Sequence, residues 1–363
     1  MSVSPLADTS RAPVINVHTH YQPGSVLDIV KPYGIEMTTR DGAWYFRSGD
    51  LEYSVPGTPE SFWGDGVHRQ LPFMDGAGID VHVLQPSPMV FSYHLDANVN
   101  DEFSRAFNDE TARHIAPHAD RFWGSAQLPM QDLDLAAAEL ERAVTELGLK
   151  SCSIGYVLGG GRTLSDPECD EFLSTVERLD VPILLHPVAL GQDLDLRAAG
   201  GEWLMKHQID WAWGYLFTET VAVVGLIFSG ALDRHPDLRV MVPHGGGMLP
   251  YQVGRLKYHA EVYGRGDRFA GERMAQAPAD YLRRFWFDTV VHEPASLQLL
   301  IDVMGEDNVV LGSNYPGWDN APIWETIRTL PGLDDRTREK ILGRNAAERL
   351  FRSDVTVAAS AQS

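Results

Sequence analysis

Short, continuously apolar runs alternate with longer amphipathic stretches along most of this chain. Residues 14–17, 79–84, 121–126, 150–154, 181–187, 238–244, 285–289 and 309–314 read as eight strands. An unbroken apolar run suits a parallel strand whose two faces are both covered by helices. Helical spacing occupies 67–78, 97–117, 133–148, 167–180, 202–233, 252–263, 278–284, 295–304 and 337–351. Asp132 stands where it caps the 133–148 helix, and Gly148 where it closes it. Eight β/α units predict an α/β protein built as a closed (β/α)8 barrel of the TIM type.

Residues 21–63 break this rhythm. They are rich in Gly, Pro and aromatic residues, and 43–47 alternates as a small hairpin strand does. We expect an inserted cap there that covers a site. Residues 1–13 read as an N-terminal extension, 14–351 as one barrel domain, and 352–363 as a flexible tail.

Composition narrows the function classes. The chain has 363 residues, 44% hydrophobic and 22% charged, with a formal net charge of -20. That field repels phosphate backbones and anionic lipid, so neither nucleic acid nor a membrane is an expected partner. Two cysteines, no signal-peptide pattern and no long apolar run lead us to expect a cytoplasmic protein. A small anionic substrate would need local positive charge in its site, which a metal ion supplies.

The candidate chemistry starts at Val17-His18-Thr19-His20. In a strand, residues i and i+2 project together, so His18 and His20 stand side by side, and neutral imidazole is a common metal ligand. A lone His-x-His is weak. However, His186 ends the fifth strand, His244 the sixth and Asn314 the eighth, and strand C-termini converge on one face of such a barrel. His292, just past the seventh strand, lines the same face. His244-Gly245-Gly246-Gly247 lacks a Gly-x-Ser-x-Gly partner motif, and Gly159-Gly160-Gly161 lacks the Lys of a phosphate loop.

These residues, with Pro88-Met89-Val90-Phe91-Ser92-Tyr93, Pro182-Ile183-Leu184-Leu185-His186-Pro187 and Leu311-Gly312-Ser313-Asn314-Tyr315-Pro316, resemble an amidohydrolase-superfamily barrel over about residues 14–351. The branch is that of 2-amino-3-carboxymuconate-6-semialdehyde decarboxylase and related non-oxidative decarboxylases. The resemblance implies His18, His20, His186 and the residue at 314 as metal ligands, and His244 as the acid/base. It implies Arg255 as a substrate-carboxylate contact, contributed in relatives by a neighbouring subunit, and hence a homodimer or dimer-based oligomer. It implies Trp203 as a pocket-lining aromatic and, with looser spacing, Arg47 as a second substrate arginine. One divalent ion is expected, zinc first with manganese or iron as alternatives, and no organic cofactor.

The chain departs from that pattern at Asn314 and Asn16, where relatives carry Asp. Asn offers an oxygen but no charge, and it cannot exchange a proton. The expected activity is decarboxylation of a small unsaturated or aromatic carboxylic acid by a carboxy-lyase. The alternatives are a hydrolase or hydratase acting on a lactone, amide or imine with the same activated water, and a disabled or engineered aspartate-to-asparagine variant that binds without turnover.

Overall fold

The computed structural model describes residues 11–48, 51–55, 66–188, 209–263, 274–316 and 321–353. Eight strands form one parallel sheet: β1 Ile15–Tyr21, β5 Val81–Pro86, β6 Phe122–Ala126, β7 Ser151–Ile154, β8 Ile183–Leu185, β9 Val240–Val242, β10 Phe285–Asp288 and β11 Val309–Val310, in that order. The last strand closes back on the first. Val17 N donates to Leu311 O at 2.8 Å, Asn314 N to His18 O at 2.9 Å and His20 N to Tyr315 O at 2.7 Å. The barrel expected from the alternation of apolar runs and helices is the observed fold.

Inside the barrel the apolar side chains lie at one end. Ile15, Val17, Val81, Val83, Trp123, Leu184, Met241, Trp286 and Val310 form one buried cluster. Ala346, Ala347, Leu350 and Phe351 of the closing helical stretch join that cluster and plug this end. Burial of this kind stabilises at about 25 cal/mol per Å² of apolar surface. With one end filled by hydrocarbon, the polar inward positions gather at the strand C-termini.

Between the barrel strands lie the expected helices, among them Gly66–Ala77, Ala97–Ile115, Leu133–Thr145, Asp170–Arg178, Tyr215–Phe228, Leu249–Tyr263 and Pro294–Met304. Asp132 caps the third of these, its Oδ1 accepting from Asp134 N and Leu135 N at 3.1 Å each, a contribution of about 1 kcal/mol. Residues 278–284 give a short 3-10 turn, Asp280–Arg284, rather than a full helix.

Three strands, β2 Ile35–Arg40, β3 Ala43–Ser48 and β4 Leu51–Val55, make a separate antiparallel sheet in the 21–63 region. Its first turn is Asp41-Gly42, both with positive φ (52° and 78°), as a tight two-residue hairpin requires.

Candidate active site

A bulge aims the first pair of candidate ligands. Along β1, Asn16 pairs with His82 and Thr19 with Leu84, so three steps on β1 oppose two on β5. The extra residue breaks strict alternation. Ile15 and Val17 join the inner cluster, and beyond the bulge His18 and His20 face that interior too. Asn16 falls on the other side, where its Nδ2 donates to Ser313 Oγ at 2.6 Å. There it also meets His82 Nε2 at 3.3 Å, and His82 Nδ1 meets Gln70 Oε1 at 2.6 Å. Burial, helped by Arg121, pushes His82 down to about 3, so it stays neutral as a fixed link among β1, β5 and the loop after β11.

The strands end earlier than their apolar runs. His186 lies one residue past β8, His244 two past β9 and Asn314 four past β11. The cause is local backbone: Pro187 follows His186, while His244 (φ 48°) and Asn314 (φ 59°) are left-handed. Asn tolerates that region; a histidine there is strained by about 1–2 kcal/mol, a cost that clusters at functional sites.

His18, His20 and His186 nonetheless meet. One potential ligand atom from each lies within 4.8 Å of the others, forming the one such group found among the described residues. Their ring centroids are 5.0 to 5.3 Å apart. His18 Nδ1 donates to Asp288 Oδ2 at 2.5 Å and His186 Nδ1 to Pro187 O at 2.9 Å. These bonds leave each Nε2 as a lone-pair donor. His18 Nε2 is buried with no hydrogen-bond partner among the described residues. Burial first, then the fields of His20, His18 and His244, hold His186 well below its ordinary value, and therefore neutral as a ligand must be. Asn314 Oδ1 lies 2.9 Å from His20 Nε2. A buried lone pair without a proton partner, in a set of three imidazoles and an amide oxygen, fits a divalent cation.

His244 stands beside this set, 5.2 Å from His18 and 5.6 Å from His186 by ring centroids. Its Nδ1 lies 2.5 Å from Glu219 Oε1. Glu219 is 3% exposed and sits on the buried face of helix Tyr215–Phe228. Burial pushes its carboxyl up to about 7; His244 counters this and Asp288 adds to it. Glycine lets the two elements touch. A Cβ on Gly247 (φ 64°) would lie 2.1 Å from Leu216 O, and one on Gly312 would lie 2.9 Å from His18 Cβ and Asp288 Oδ2.

The other candidates are elsewhere. Arg47 is on β3, exposed and paired with Glu36 at 2.5 Å. Arg255 is exposed on helix Leu249–Tyr263, and His292 (φ 57°) is exposed in the loop after β10. Trp203 lies outside the described residues. Sequence reasoning missed Glu219 and Asp288. Asp288 ends β10 and obeys the strand-end rule that picked out His186. Glu219 could have been found as a carboxylate at i+4 from Tyr215 and i-3 from Ala222, on an otherwise apolar helix face.

A (β/α)8 barrel with a three-histidine cluster and an adjacent His–Glu pair at its strand C-termini defines a metal-dependent enzyme of the hydrolase–lyase kind. The amidohydrolase family model matches residues 15–352, and the chain belongs to that family. It is 28% identical over 350 residues to 2-amino-3-carboxymuconate-6-semialdehyde decarboxylase of Dictyostelium discoideum, covering 93% of this chain and 91% of that one. Among solved structures, 5-carboxyvanillate decarboxylase from Sphingomonas paucimobilis superposes with a TM-score of 0.79 at 26% identity, over 95% of this chain and 100% of that one. The dihydroxybenzoic acid decarboxylase from Polaromonas sp. JS666, solved with manganese and 2-nitroresorcinol, shares the fold at a TM-score of 0.74 and 24% identity, over 94% of this chain and 97% of that one.

Proposed function

We propose that this chain is a metal-dependent, non-oxidative decarboxylase of a small unsaturated or aromatic carboxylic acid. The observation that carries the reading is the Glu219–His244 pair placed against the His18, His20 and His186 cluster. In this reading those three histidines, with Asn314 Oδ1, hold the ion. A divalent ion bound there supplies Lewis-acid stabilisation for substrate oxygens. Three imidazoles suit zinc, whereas oxygen donors suit manganese, so metal analysis of the purified protein decides between them.

Asn314 can neither give nor take a proton, so we assign proton transfer to His244. Glu219 holds its Nδ1, which leaves Nε2 to exchange the proton. Protonation of the carbon that bears the carboxylate makes that skeleton an electron sink. The C–C bond electrons then stay with the skeleton, and carbon dioxide leaves.

We further propose that 21–63 caps the site and that the enzyme is a homodimer. Tyr251, Arg255, Tyr258 and Val262 follow i, i+4, i+7, i+11 spacing on one exposed helix stripe. Trp213, Phe217 and Val221 are exposed on the neighbouring helical segment, which Thr220 Oγ1 ties to Met248 N at 2.9 Å. Such an apolar patch suits an interface, and it carries Arg255 with it toward a neighbouring site.

The test is carbon dioxide release from hydroxylated benzoic acids and carboxymuconate-type acids by metal-loaded protein. Release at stoichiometric metal supports the reading. Hydrolysis or hydration without carbon dioxide, or a protein that takes up no divalent metal, overturns it.

A further inference from the structure

We propose that Gln22 is a specificity-determining residue that reads a hydroxyl group on the substrate. This deepens the decarboxylase reading and rests on it for the substrate class. Gln22 follows β1 directly and is 2% exposed. Both its Oε1 and its Nε2 are buried, with no hydrogen-bond partner among the described residues. Asn16 and Gln127 also have an unpaired amide oxygen, but their nitrogens are bonded, Asn16 to Ser313 and Gln127 to Val90 and Phe91. Gln22 has neither end satisfied.

Its direction follows from its neighbours. Tyr21 points outward, its ring 6.1 Å from Phe107 and its hydroxyl bonded to His114, both on helix Ala97–Ile115. Pro23 keeps the preceding residue extended. Extended alternation therefore places Gln22 on the side of His18 and His20, at the mouth of the barrel.

A buried amide that finds no partner within the protein costs stability unless something else satisfies it, and a leucine of similar size would fill the same space at no such cost. A ligand that satisfies both ends gives the amide a use. A bare carboxylate or carbonyl accepts from Nε2 and leaves Oε1 unmet. A ligand with a hydrogen-bond donor beside an acceptor answers both ends, and a hydroxylated aromatic or enolic acid offers that pair.

The test compares wild type with Gln22→Leu and Gln22→Met, both metal-loaded, on 2,6-dihydroxybenzoate and 2,6-dimethoxybenzoate. Affinity is read by calorimetry and turnover by carbon dioxide release. We expect each variant to lose about tenfold or more on the dihydroxy acid and to change little on the dimethoxy acid. We also expect the ligand-free variants to melt no lower than wild type. Equal losses on both acids, no loss on either, or a wild type that binds neither acid overturns the assignment to Gln22. Gln22-dependent binding without carbon dioxide release supports the assignment and overturns decarboxylation of this acid.

Discussion

Asp288 Oδ2 accepts from His18 Nδ1 at 2.5 Å, with both side chains fully buried. The other carboxylate oxygen accepts from Gly245 N and Val290 N, each at 3.0 Å. One side chain thus orients His18, a proposed metal ligand, and anchors the turn that begins with His244. A carboxylate that polarises a ligand imidazole raises its basicity and fixes its ring.

Asp288→Asn keeps the shape and the oxygen but removes the charge. We expect metal affinity to fall about 10- to 100-fold, measured by chelator competition, with activity recovering at high metal concentration. Unchanged affinity would show that Asp288 acts only on the backbone.

Asn314→Asp tests the departure at the eighth strand. The added negative charge lies beside His20 Nε2, where Asn314 Oδ1 is now 2.9 Å away. Tighter divalent-metal binding is the expected result, since an anionic oxygen binds a hard cation better than a neutral amide does. A tenfold or larger gain in turnover would mark the asparagine as the disabling residue. A tighter metal with unchanged turnover would show His244 sufficient for the proton.

The barrel and the clustering of His18, His20 and His186 were readable from pattern because they follow regular rules. Eight apolar runs have the signature of strands buried on both faces, and His18, His20 and His186 sit where such strands end. The bulge between Asn16 and Thr19 carries no local composition signal, since the register of β1 depends on its partner β5. Glu219 was hidden because its partner, His244, is 25 residues away in sequence, and only tertiary packing brings them together. Gln22 was hidden for the opposite reason: its only mark is a lack of partners, which appears once burial is known.

Glu219→Gln separates orientation from charge. The amide can still accept from His244 Nδ1 through its oxygen, but it cannot stabilise a cationic imidazole. If His244 moves the proton, kcat should fall by about 10²-fold while KM changes little. Stability should shift with a definite sign. The Glu219 carboxyl is raised from an ordinary 4.5 to about 7, chiefly by burial, so the folded state holds its proton more tightly than the unfolded chain does. Its contribution to stability is therefore fully present below pH 4.5 and is lost as pH rises toward 7, because the unfolded chain gives up the proton first. In metal-free protein, the melting temperature of Glu219→Gln should gain on that of wild type as pH is raised through this window, and hold a constant lead above it. A difference between the two proteins that stays flat from pH 4.5 to 7 would mean that Glu219 is already ionised in the fold. Its pairing with His244 would then have to be read as a fixed ion pair.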